Sequence, residues 1–232
     1  MVVAWMVDGE LETELWRPIR ELALGAARKG GGGLILDIGG GGGGFSYYIS
    51  KHVPGYQCVS VDIAPSAPSP GVECVLGDAL RLPFADGSFD LLVARAVLHH
   101  FPDRLPEAMG EAHRVLKPGG RFVIEEPCSG NPIAAMARHA APTDRHDPGE
   151  RPMSSAFMLE SVSQRFTVLE ARHFFLVSYL APHLVARLPK YAKPAARALS
   201  LAAARVDERL LSRGGYCARF SAYIHILTIK GK

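Results

Sequence analysis

A run of six glycines between two acidic residues is the part of this sequence best suited to holding a small ligand. Asp37 stands two residues before the run at residues 39–44, and Asp62 ends the next apolar segment. Glycines let a backbone approach a ligand closely, and the start of a following helix presents unpaired N–H groups. The first, third and sixth glycines satisfy G-x-G-x-x-G, so a nicotinamide or flavin dinucleotide is one possible ligand.

The two acids discriminate between ligands. Asp37 would repel a pyrophosphate bound at the same turn, whereas it would attract a cation. Asp62 is placed so that its carboxylate can accept hydrogen bonds from ribose hydroxyls, a role that dinucleotide sites share. Aspartates at such positions also cap turns without binding anything. A cationic ligand therefore suits Asp37 better than a dinucleotide does, and Asp62 is compatible with both.

Side chains for acid–base chemistry follow two later apolar segments. His99 and His100 come after one segment, and each is a candidate general base if the acceptor is a hydroxyl or a carbon acid. Glu125 and Glu126 end the next segment, and His146 lies in a polar loop beyond it. These last three are candidate substrate contacts. The alternative for each histidine is a packed position in the core.

The loop around His146 also contains Asp144, Asp147 and Glu150, which are residue types that bind metals. Their spacing in a loop rich in proline and glycine is more typical of a solvated turn, so we predict no metal. The four cysteines lie far apart without a C-x-x-C pair. This pattern favours reduced, packed thiols over a zinc site or a disulfide framework.

Short apolar segments must position these residues, and they alternate with helical patterns. Strands are predicted at residues 34–38, 57–61, 72–76, 89–94 and 121–125. Helices are predicted at residues 45–52 and along a face formed by Leu105, Met109, Ala112 and Leu116, with Asp103 as N-cap and residues 117–120 as the stop. This alternation predicts an α/β fold, a mostly parallel sheet with helices on both faces. Ligands in such sheets bind beyond the carboxyl ends of the strands, where the candidate residues fall.

The remaining segments are less regular. Residues 1–33 are predicted to form N-terminal helices, with Pro18 marking a break or the first turn of a second helix. Residues 64–71 contain three prolines, so the connection between the second and third strands cannot be an ordinary helix. Two further strands are predicted at residues 166–175 and 219–230.

Four motifs in this order resemble the class I S-adenosylmethionine (SAM) dependent methyltransferases. They are the aspartate and glycine loop, the acid after the second strand, the sequence Leu82-Pro-Phe84 with Asp86-Gly-Ser-Phe-Asp90, and Leu116-Lys-Pro-Gly-Gly120. The resemblance extends over about residues 34–126. It implies a Rossmann-like sheet of seven strands whose last strand is antiparallel and inserted beside the fifth, and it implies SAM as the cofactor, with S-adenosylhomocysteine as its product. We accordingly expect one domain over residues 1–232.

The same resemblance assigns roles to individual residues. Asp37 with Gly39, Gly41 and Gly43 would form the loop facing the methionine part of SAM, and Arg95 would lie near the transferred methyl group. Asp62 would hold the ribose and Ile63 would flank the adenine, while Asp78 and the backbone of Ala79 would recognise the adenine edge. The sequence departs from the family in its all-glycine loop and in the proline-rich segment after the second strand.

The sequence limits the choice of acceptor mainly through a motif that it lacks. The N-P-P-[FY] motif of nucleobase N-methyltransferases is replaced by Ala94-Arg-Ala-Val-Leu-His-His100, and a net charge of +3 is too small to indicate nucleic acid. A small molecule, lipid-like and methylated at oxygen, carbon or nitrogen, is the predicted acceptor. Two alternatives remain: an NAD-linked oxidoreductase, and a SAM-binding or membrane-associated module without catalysis.

Residues 177–213 are the segment that a simple member of the family lacks. They combine leucines with seven Lys or Arg against two acids, and Pro182, Pro189 and Pro194 are predicted to divide them into short helices. One interpretation is a helical cover packed on the sheet. The other is a lid over the acceptor pocket whose basic face rests on an anionic membrane. With no signal sequence or membrane-spanning run, we expect a cytoplasmic protein, peripheral at the membrane under the second interpretation.

Overall fold

Apolar segments rich in Ile, Leu and Val form one seven-stranded sheet in the computed structural model, which describes residues 9–64, 66–140, 151–212 and 215–231. The strands are β1 (Gly33–Ile38), β2 (Tyr56–Asp62), β3 (Val72–Leu76), β4 (Phe89–Arg95), β5 (Leu116–Pro127), β6 (Thr167–Phe174) and β7 (Tyr223–Ile229). Their order is β3-β2-β1-β4-β5-β7-β6. Strands β1 to β5 pair in parallel, and β7 runs antiparallel between β5 and β6. The predicted Rossmann-like sheet, with its last strand inserted beside the fifth, is confirmed.

Helices cover both faces of this sheet. They are α1 (Gly9–Gly30), α2 (Gly44–His52), α3 (Leu105–Val115), α4 (Pro132–Ala140), α5 (Ser155–Ser163), α6 (Ala181–Ala186) and α7 (Lys193–Ser212). Short 3-10 turns occupy Leu98–His100, Pro102–Arg104, Ser178–Leu180 and Gly215–Phe220. Among the residues that are described, no helix is both long enough and apolar enough to span a membrane.

Successive side chains of a strand point to opposite faces of the sheet, so neighbouring residues contact different helices. Leu36, Leu92 and Phe122 point into a cluster that contains the buried faces of α3 and α5. Their neighbours Ile35 and Val123 point to the other side, where α1 and α2 pack. Because both faces of the central parallel strands are covered, the middle residues of β1, β4 and β5 are mostly apolar and buried.

The motifs around Asp90 and Lys117 hold strands together. The Asp90 carboxylate accepts a hydrogen bond of 2.9 Å from the Leu34 backbone N–H and one of 2.8 Å from the Lys117 Nζ. One side chain therefore joins β1, β4 and β5 at the amino ends of the strands. These parts of the methyltransferase-like pattern fix the sheet and lie at the opposite end from the glycine loop.

Several local predictions about where helices and strands begin, continue or end are wrong. Helix α1 continues through Pro18 without a break, because Leu11, Leu15 and Ile19 on either side are buried in one apolar cluster. That packing outweighs the hydrogen bond that a proline removes. Asp103 is not the N-cap of α3: it lies in a 3-10 turn before the helix, and its carboxylate pairs with Arg151.

Leu116 was expected on the face of α3, but it is the first residue of β5 and pairs with Phe89. The sequence from Lys117 to Gly120 is therefore part of an extended strand, and the helix ends before it. Likewise, the last strand starts at Tyr223, because residues 215–220 form a 3-10 turn. The expectation of a non-helical connection between β2 and β3 is confirmed.

Helices α6 and α7 pack against α1 and the end of β6. Ala181 and Val185 of α6 share a cluster with Leu15 of α1, and Leu201 of α7 packs against the same cluster. Pro194 lies in the first turn of α7 and does not divide the segment there, since α7 runs for 20 residues.

Asp207 fastens α7 to the turn that follows β6. Its side chain is buried, with 3% of its surface exposed. One oxygen, Oδ2, accepts hydrogen bonds of 2.9, 3.1 and 3.0 Å from the backbone N–H groups of Leu176, Val177 and Ser178, and one of 2.7 Å from the Ser178 hydroxyl. One carboxylate oxygen therefore satisfies four donors of this turn, two of them buried.

We expect Asp207→Ala to lower the free energy of unfolding by roughly 2 to 4 kcal/mol, because four donors, two of them buried, lose their acceptor. Glu208→Ala is the matched control, since Glu208 is an exposed acid next to it on the same helix. Urea unfolding of both variants measures the difference. A loss below about 1 kcal/mol for Asp207→Ala would show that the anchor contributes little.

Candidate active site

The glycine loop lies at the carboxyl end of β1 and leads directly into α2. Gly43 is the N-cap of α2, with a positive φ of 70° that suits glycine. The Gly39 N–H donates to the Val61 carbonyl at 2.8 Å, and the Gly43 N–H donates to the Gly40 carbonyl at 2.8 Å. The loop is thus held against β2 while it turns toward the helix.

The proline-rich connection after β2 packs against the glycine loop at Gly42, and Asp37 packs against it at Gly40. The Ser69 N–H donates to the Gly42 carbonyl at 2.8 Å, and a Cβ on Gly42 would lie 2.3 Å from the Ala67 carbonyl oxygen. A Cβ on Gly40 would lie 2.4 Å from the Asp37 Cγ. Distances this short exclude any side chain at either position. The two departures from the family pattern therefore meet at Gly42, where the connection leaves no space for a side chain.

Asp37 lies beneath the loop. Its carboxylate is buried and accepts a 3.1 Å hydrogen bond from the Ser46 backbone N–H in the first turn of α2. Burial raises the pKa of Asp37 to about 6, although the hydrogen bonds from Ser46 and the positive charge of Arg95 oppose the rise. Because Asp37 lies under the loop, it acts on a ligand through the shape of the loop and through its own negative charge.

Asp62 ends β2 beside the loop. Its Oδ2 accepts a 2.9 Å hydrogen bond from the Gly41 N–H, and its Oδ1 accepts one of 2.9 Å from the Ala64 N–H. Each carboxylate oxygen has a second lone pair, so both can accept a further hydrogen bond. The structure brings this carboxylate to the same edge of the sheet as the glycine loop.

Three residues continue this edge toward β3. Ile63 is 75% exposed directly after Asp62, and the Gly77 N–H donates to the Asp62 carbonyl at 3.0 Å. Asp78 is exposed and accepts a 2.9 Å hydrogen bond from the Leu80 N–H, with Ala79 between them partly buried. These contacts form a continuous surface from the loop to β3.

Arg95 ends β4 on the other side of the loop and is enclosed by aromatic rings. Its guanidinium carbon lies 4.9 Å from the centre of the Phe45 ring and 5.3 Å from that of Trp16. Its Nε lies 3.5 Å from an oxygen of Glu125, an ion pair without a short hydrogen bond. Cation–π contacts of this kind fix the direction of an arginine that stays partly exposed.

Glu125 and Glu126 are neighbours in β5 but face opposite sides of the sheet. Glu125 is fully buried and contacts Arg95 and the Nδ1 of His225, the latter at 3.2 Å. Glu126 is also fully buried, and its Oε1 accepts hydrogen bonds of 2.7 and 2.8 Å from the backbone N–H groups of Val97 and Leu98. Neither carboxylate reaches the surface.

His99 and Glu126 form a buried pair. The Nδ1 of His99 lies 2.8 Å from the Oε2 of Glu126, and the His99 ring is buried. A carboxylate that accepts from Nδ1 holds the proton there and leaves Nε2 as the basic nitrogen. His100 is exposed, with its ring centre 4.5 Å from that of His99. The two histidines are therefore in different environments.

His146 lies outside the described residues, as do Asp144, Asp147 and Glu150. Within the ranges that the structure describes, no three His, Cys, Asp or Glu side chains lie together as metal ligands. The four cysteines, all within the described residues, form no disulfide.

Two contributors to this edge escaped the sequence reasoning. Trp16 reaches Arg95 from α1, far away in sequence, and its ring also contacts that of Tyr223 at 4.8 Å. Ser46 supplies the N–H that Asp37 accepts. An aromatic residue on an amphipathic helix gives no local sign that it will meet an arginine, whereas Ser46 in the first turn after the loop could have been singled out.

This sheet order, with a glycine loop after β1 and an acid after β2 at the same edge, defines the fold of the class I methyltransferases. Residues 36–124 match the family model described as a methyltransferase domain. The match runs from β1 to β5 and includes the loop, Asp62, Asp78 and Arg95. The central part of the chain, residues 36–124, is thus similar to a methyltransferase domain.

Curated relatives resemble the same central region. The chain is 38% identical over 88 residues to a demethylmenaquinone methyltransferase from Thermus thermophilus, which is 34% of this chain and 40% of that protein. The matched segments span only 16% to 40% of the length of the curated relatives.

Solved structures match nearly the whole chain at low identity, which shows the fold alone. Geranyl diphosphate C-methyltransferase from Streptomyces coelicolor, solved with S-adenosyl-L-homocysteine, has a TM-score of 0.62 and 15% identity and covers 96% of this chain and 84% of its own. The [4+2]-cyclase SpnF has a TM-score of 0.62 and 22% identity, with coverage of 92% and 80%. Because a protein named as a cyclase has this fold, the fold by itself does not define the reaction.

The raised pKa of Asp37 predicts a pH-dependent stability. The folded-state pKa of about 6 is above the ordinary value of 3.8, so this carboxyl contributes stability below about pH 4 that is lost as pH rises through 6. Asp37→Asn stays neutral and escapes this loss. Between about pH 4 and pH 7, Asp37→Asn should gain about 3 kcal/mol relative to wild type.

Denaturant unfolding of both proteins across that pH range measures the gain. Asp90→Asn is a control, because Asp90 is a strand-joining carboxylate that is less deeply buried. A difference between Asp37→Asn and wild type that stays constant with pH would contradict a raised pKa.

Proposed function

We propose that this chain is a SAM-dependent methyltransferase that acts on a small lipophilic acceptor. The observation that carries the proposal is the arrangement at the carboxyl ends of β1, β2 and β4. There, within the region that matches a methyltransferase domain, the glycine loop, Asp62 and Arg95 lie along one edge. An NAD-linked oxidoreductase fits less well, because the buried Asp37 beneath the loop disfavours a pyrophosphate.

The residues at this edge fit SAM. The loop of Gly39, Gly41 and Gly43 would take the methionine part, with Arg95 near its end. Asp62 would accept from the ribose hydroxyls through its remaining lone pairs. The exposed Ile63 side chain would flank the adenine, and Asp78 with the Ala79 backbone would contact the adenine edge. When bound, SAM supplies a methyl group on a sulfonium, which is already an activated leaving group.

The chain's own part in the reaction is to hold the acceptor and to remove its proton. Positioning can contribute roughly 7 to 11 kcal/mol to lowering the barrier. We assign His99 as the general base, because Glu126 holds its Nδ1 at 2.8 Å and so keeps Nε2 as the basic nitrogen. Glu126 also fixes the backbone of Val97 and Leu98, which places the His99 turn. In this assignment Glu125 and Glu126 position Arg95 and His99, and a contact from His146 to the acceptor stays a prediction.

A lipophilic acceptor is supported by the relatives. The protein from Thermus thermophilus is named for a quinone, demethylmenaquinone. A hydroquinone or phenol has a dissociable proton next to the methylated atom, which is what a buried histidine and carboxylate pair suits. We further propose that residues 34–126 are the cofactor-binding core of one domain and that residues 177–213 are its helical cover or lid, since α6 and α7 pack on α1, the helix that carries Trp16.

Two measurements separate this function from the alternatives. Titration calorimetry should show binding of SAM and no binding of NAD. Incubation with SAM and hydrophobic hydroquinones or phenols, followed by mass spectrometry, should yield S-adenosylhomocysteine and a product one methylene heavier. SAM binding without any product from these acceptors would favour a module without methyl transfer, and NAD binding would favour the oxidoreductase.

We expect Asp62→Ala to weaken SAM binding by roughly 1.5 to 3 kcal/mol, because the ribose hydroxyls lose a charged acceptor. Calorimetry measures the change. Glu73→Ala in β3 is the control, since Glu73 is an exposed acid away from the loop. An unchanged affinity in Asp62→Ala would remove this residue from the cofactor site.

Because Asp62 also accepts from the Gly41 N–H, thermal unfolding of Asp62→Ala and Asp62→Asn should accompany the titration. Asparagine keeps one carboxamide oxygen as an acceptor and loses the charge. Intermediate binding by Asp62→Asn, with an unchanged unfolding temperature, would attribute the loss to the ligand contact and not to a disordered loop.

For the general base, we expect His99→Gln to lower kcat by roughly 10² to 10⁴-fold while SAM affinity stays unchanged. Glu126→Gln tests the same role while leaving the histidine in place. Its carboxamide oxygen can still accept from Val97 and Leu98, but its NH₂ would donate to the Nδ1 of His99 and move the proton to Nε2. We expect kcat to fall with little change in stability.

His100→Ala tests the neighbouring candidate, because His100 is exposed and has a different environment. Full activity in His99→Gln together with a large loss in His100→Ala would transfer the role to His100. Full activity in both variants would show that the acceptor needs no histidine as a base.

A further inference from the structure

The outer surface of α6, α7 and the residues between them is unusually apolar. Six of the thirteen large apolar side chains that lie exposed in the described part of the chain fall within residues 184–210. Tyr191 is 87% exposed and Leu199 is 73% exposed. The other four are Leu184, Leu188, Val206 and Leu210. Scattered exposed leucines are ordinary, but a group of this size on one layer indicates an interaction surface.

The exposed residues of α7 form a straight stripe along the helix. Ala195, Leu199, Ala202, Val206 and Leu210 are all exposed, and they are spaced by three or four residues, which places them on one side of a helix of 3.6 residues per turn. Asp207 and Leu211 lie on the buried side. The stripe therefore faces away from α1 and from the sheet.

Basic side chains accompany the stripe. Arg205 and Arg209 are exposed and follow one border of it, and Lys190 is exposed in the connection between the helices. Arg187, Lys193 and Arg197 add positive charge to the same layer.

The acids are turned away from this stripe. The Asp207 carboxylate is directed inward to the turn at residues 176–178. Glu208 falls on the far side of the helix from Leu199 and Val206. It lines a cavity between α1 and α7, which Arg205 also lines from the border of the stripe. The outward side of the layer is thus apolar and positively charged.

We propose that this surface, the α6–α7 face formed by the six exposed apolar residues with Lys190, Arg205 and Arg209, rests on an anionic lipid bilayer. An apolar stripe with a basic border is the arrangement with which helices lie in the interface of such membranes. Long basic side chains reach the headgroups while the leucines enter the acyl boundary. Tyr191 has the amphipathic ring that occupies the same boundary.

This inference goes beyond the proposed function and is independent of it, because binding to lipid is measured without SAM or an acceptor. A second copy of the chain is the other occupant that an apolar stripe could have. The basic border argues against an antiparallel pairing of two copies, since the two-fold axis would then place both borders, with Arg205 and Arg209, on the same side of the contact, where their charges repel. Lipid headgroups of opposite charge remove that repulsion.

The experiment is co-sedimentation of the full-length chain with vesicles of phosphatidylcholine alone and of phosphatidylcholine with phosphatidylglycerol, at low and high salt. We expect binding to the anionic vesicles at low salt. Binding should be much weaker to neutral vesicles and at high salt, since surface charges are screened.

Two double variants separate the apolar and the charged contributions. Arg205→Gln with Arg209→Gln should weaken binding to anionic vesicles by about 25-fold, at about fivefold for each charge near the surface. Leu199→Asn with Val206→Asn should weaken it by at least about tenfold, since two buried side chains are lost from the acyl boundary. Lys29→Gln with Lys51→Gln is the matched charge control, and Leu169→Asn is the apolar control, because these exposed residues lie outside the α6–α7 face. Circular dichroism and thermal unfolding verify that each variant is folded.

Loss of binding in the two face variants, with binding retained in both controls, would support the proposal. Wild type that stays in solution with anionic vesicles at low salt would overturn it, as would equal binding by all variants. Light scattering in solution provides the third arm. A wild-type dimer that becomes a monomer in Leu199→Asn with Val206→Asn would assign the face to a second copy and would also overturn the proposal.

Discussion

The hydrogen bond from the Ser46 backbone N–H to the Asp37 carboxylate joins the first turn of α2 to the end of β1, directly beneath the glycine loop. Because this carboxylate is buried, its position leaves no space for a side chain on Gly40 above it. The loop can therefore follow only a narrow path, and the Gly41 N–H is brought to Asp62 at the end of β2. The shape of the candidate cofactor site thus depends on a group that lies underneath it. The same burial that holds the Asp37 carboxylate beneath the loop also raises its pKa.

Much of the fold could be predicted because strand periodicity and turn residues are local properties. All five parallel strands contain the expected segments, although β5 begins earlier, and the described residues 66–71 of the proline-rich crossover form no helix. The errors occur where packing between distant segments decides. Helix α1 continues through Pro18 because the residues on both sides are buried against elements that lie far away in sequence. Leu116 fits a helical period and also fits the start of a strand, and its pairing with Phe89 selects the strand.

The candidate site was predictable to the extent that it consists of residues at the ends of strands. The loop, Asp62, Asp78 and Arg95 are such residues, and the structure places them at one edge. What the sequence leaves open is how side chains pair across elements. The contact between His99 and Glu126 joins residues 27 positions apart, and the enclosure of Arg95 by Trp16 and Phe45 brings together α1, α2 and β4. Neither pairing follows from spacing, since each depends on the way in which helices lie on the sheet.

The alternation of Glu125 and Glu126 in β5 has a consequence for how such a protein can diversify. Adjacent positions in a strand point to opposite faces, so one carboxylate contacts Arg95 and the other contacts His99. A substitution at residue 126 alters the surroundings of His99 and leaves the partner of Arg95 in place. A substitution at residue 125 removes the partner of Arg95 and leaves the surroundings of His99 in place. The two sides of the candidate site can therefore vary separately, although Glu125 and Glu126 are encoded side by side. A single-residue insertion before them would exchange their faces and would break both pairings together.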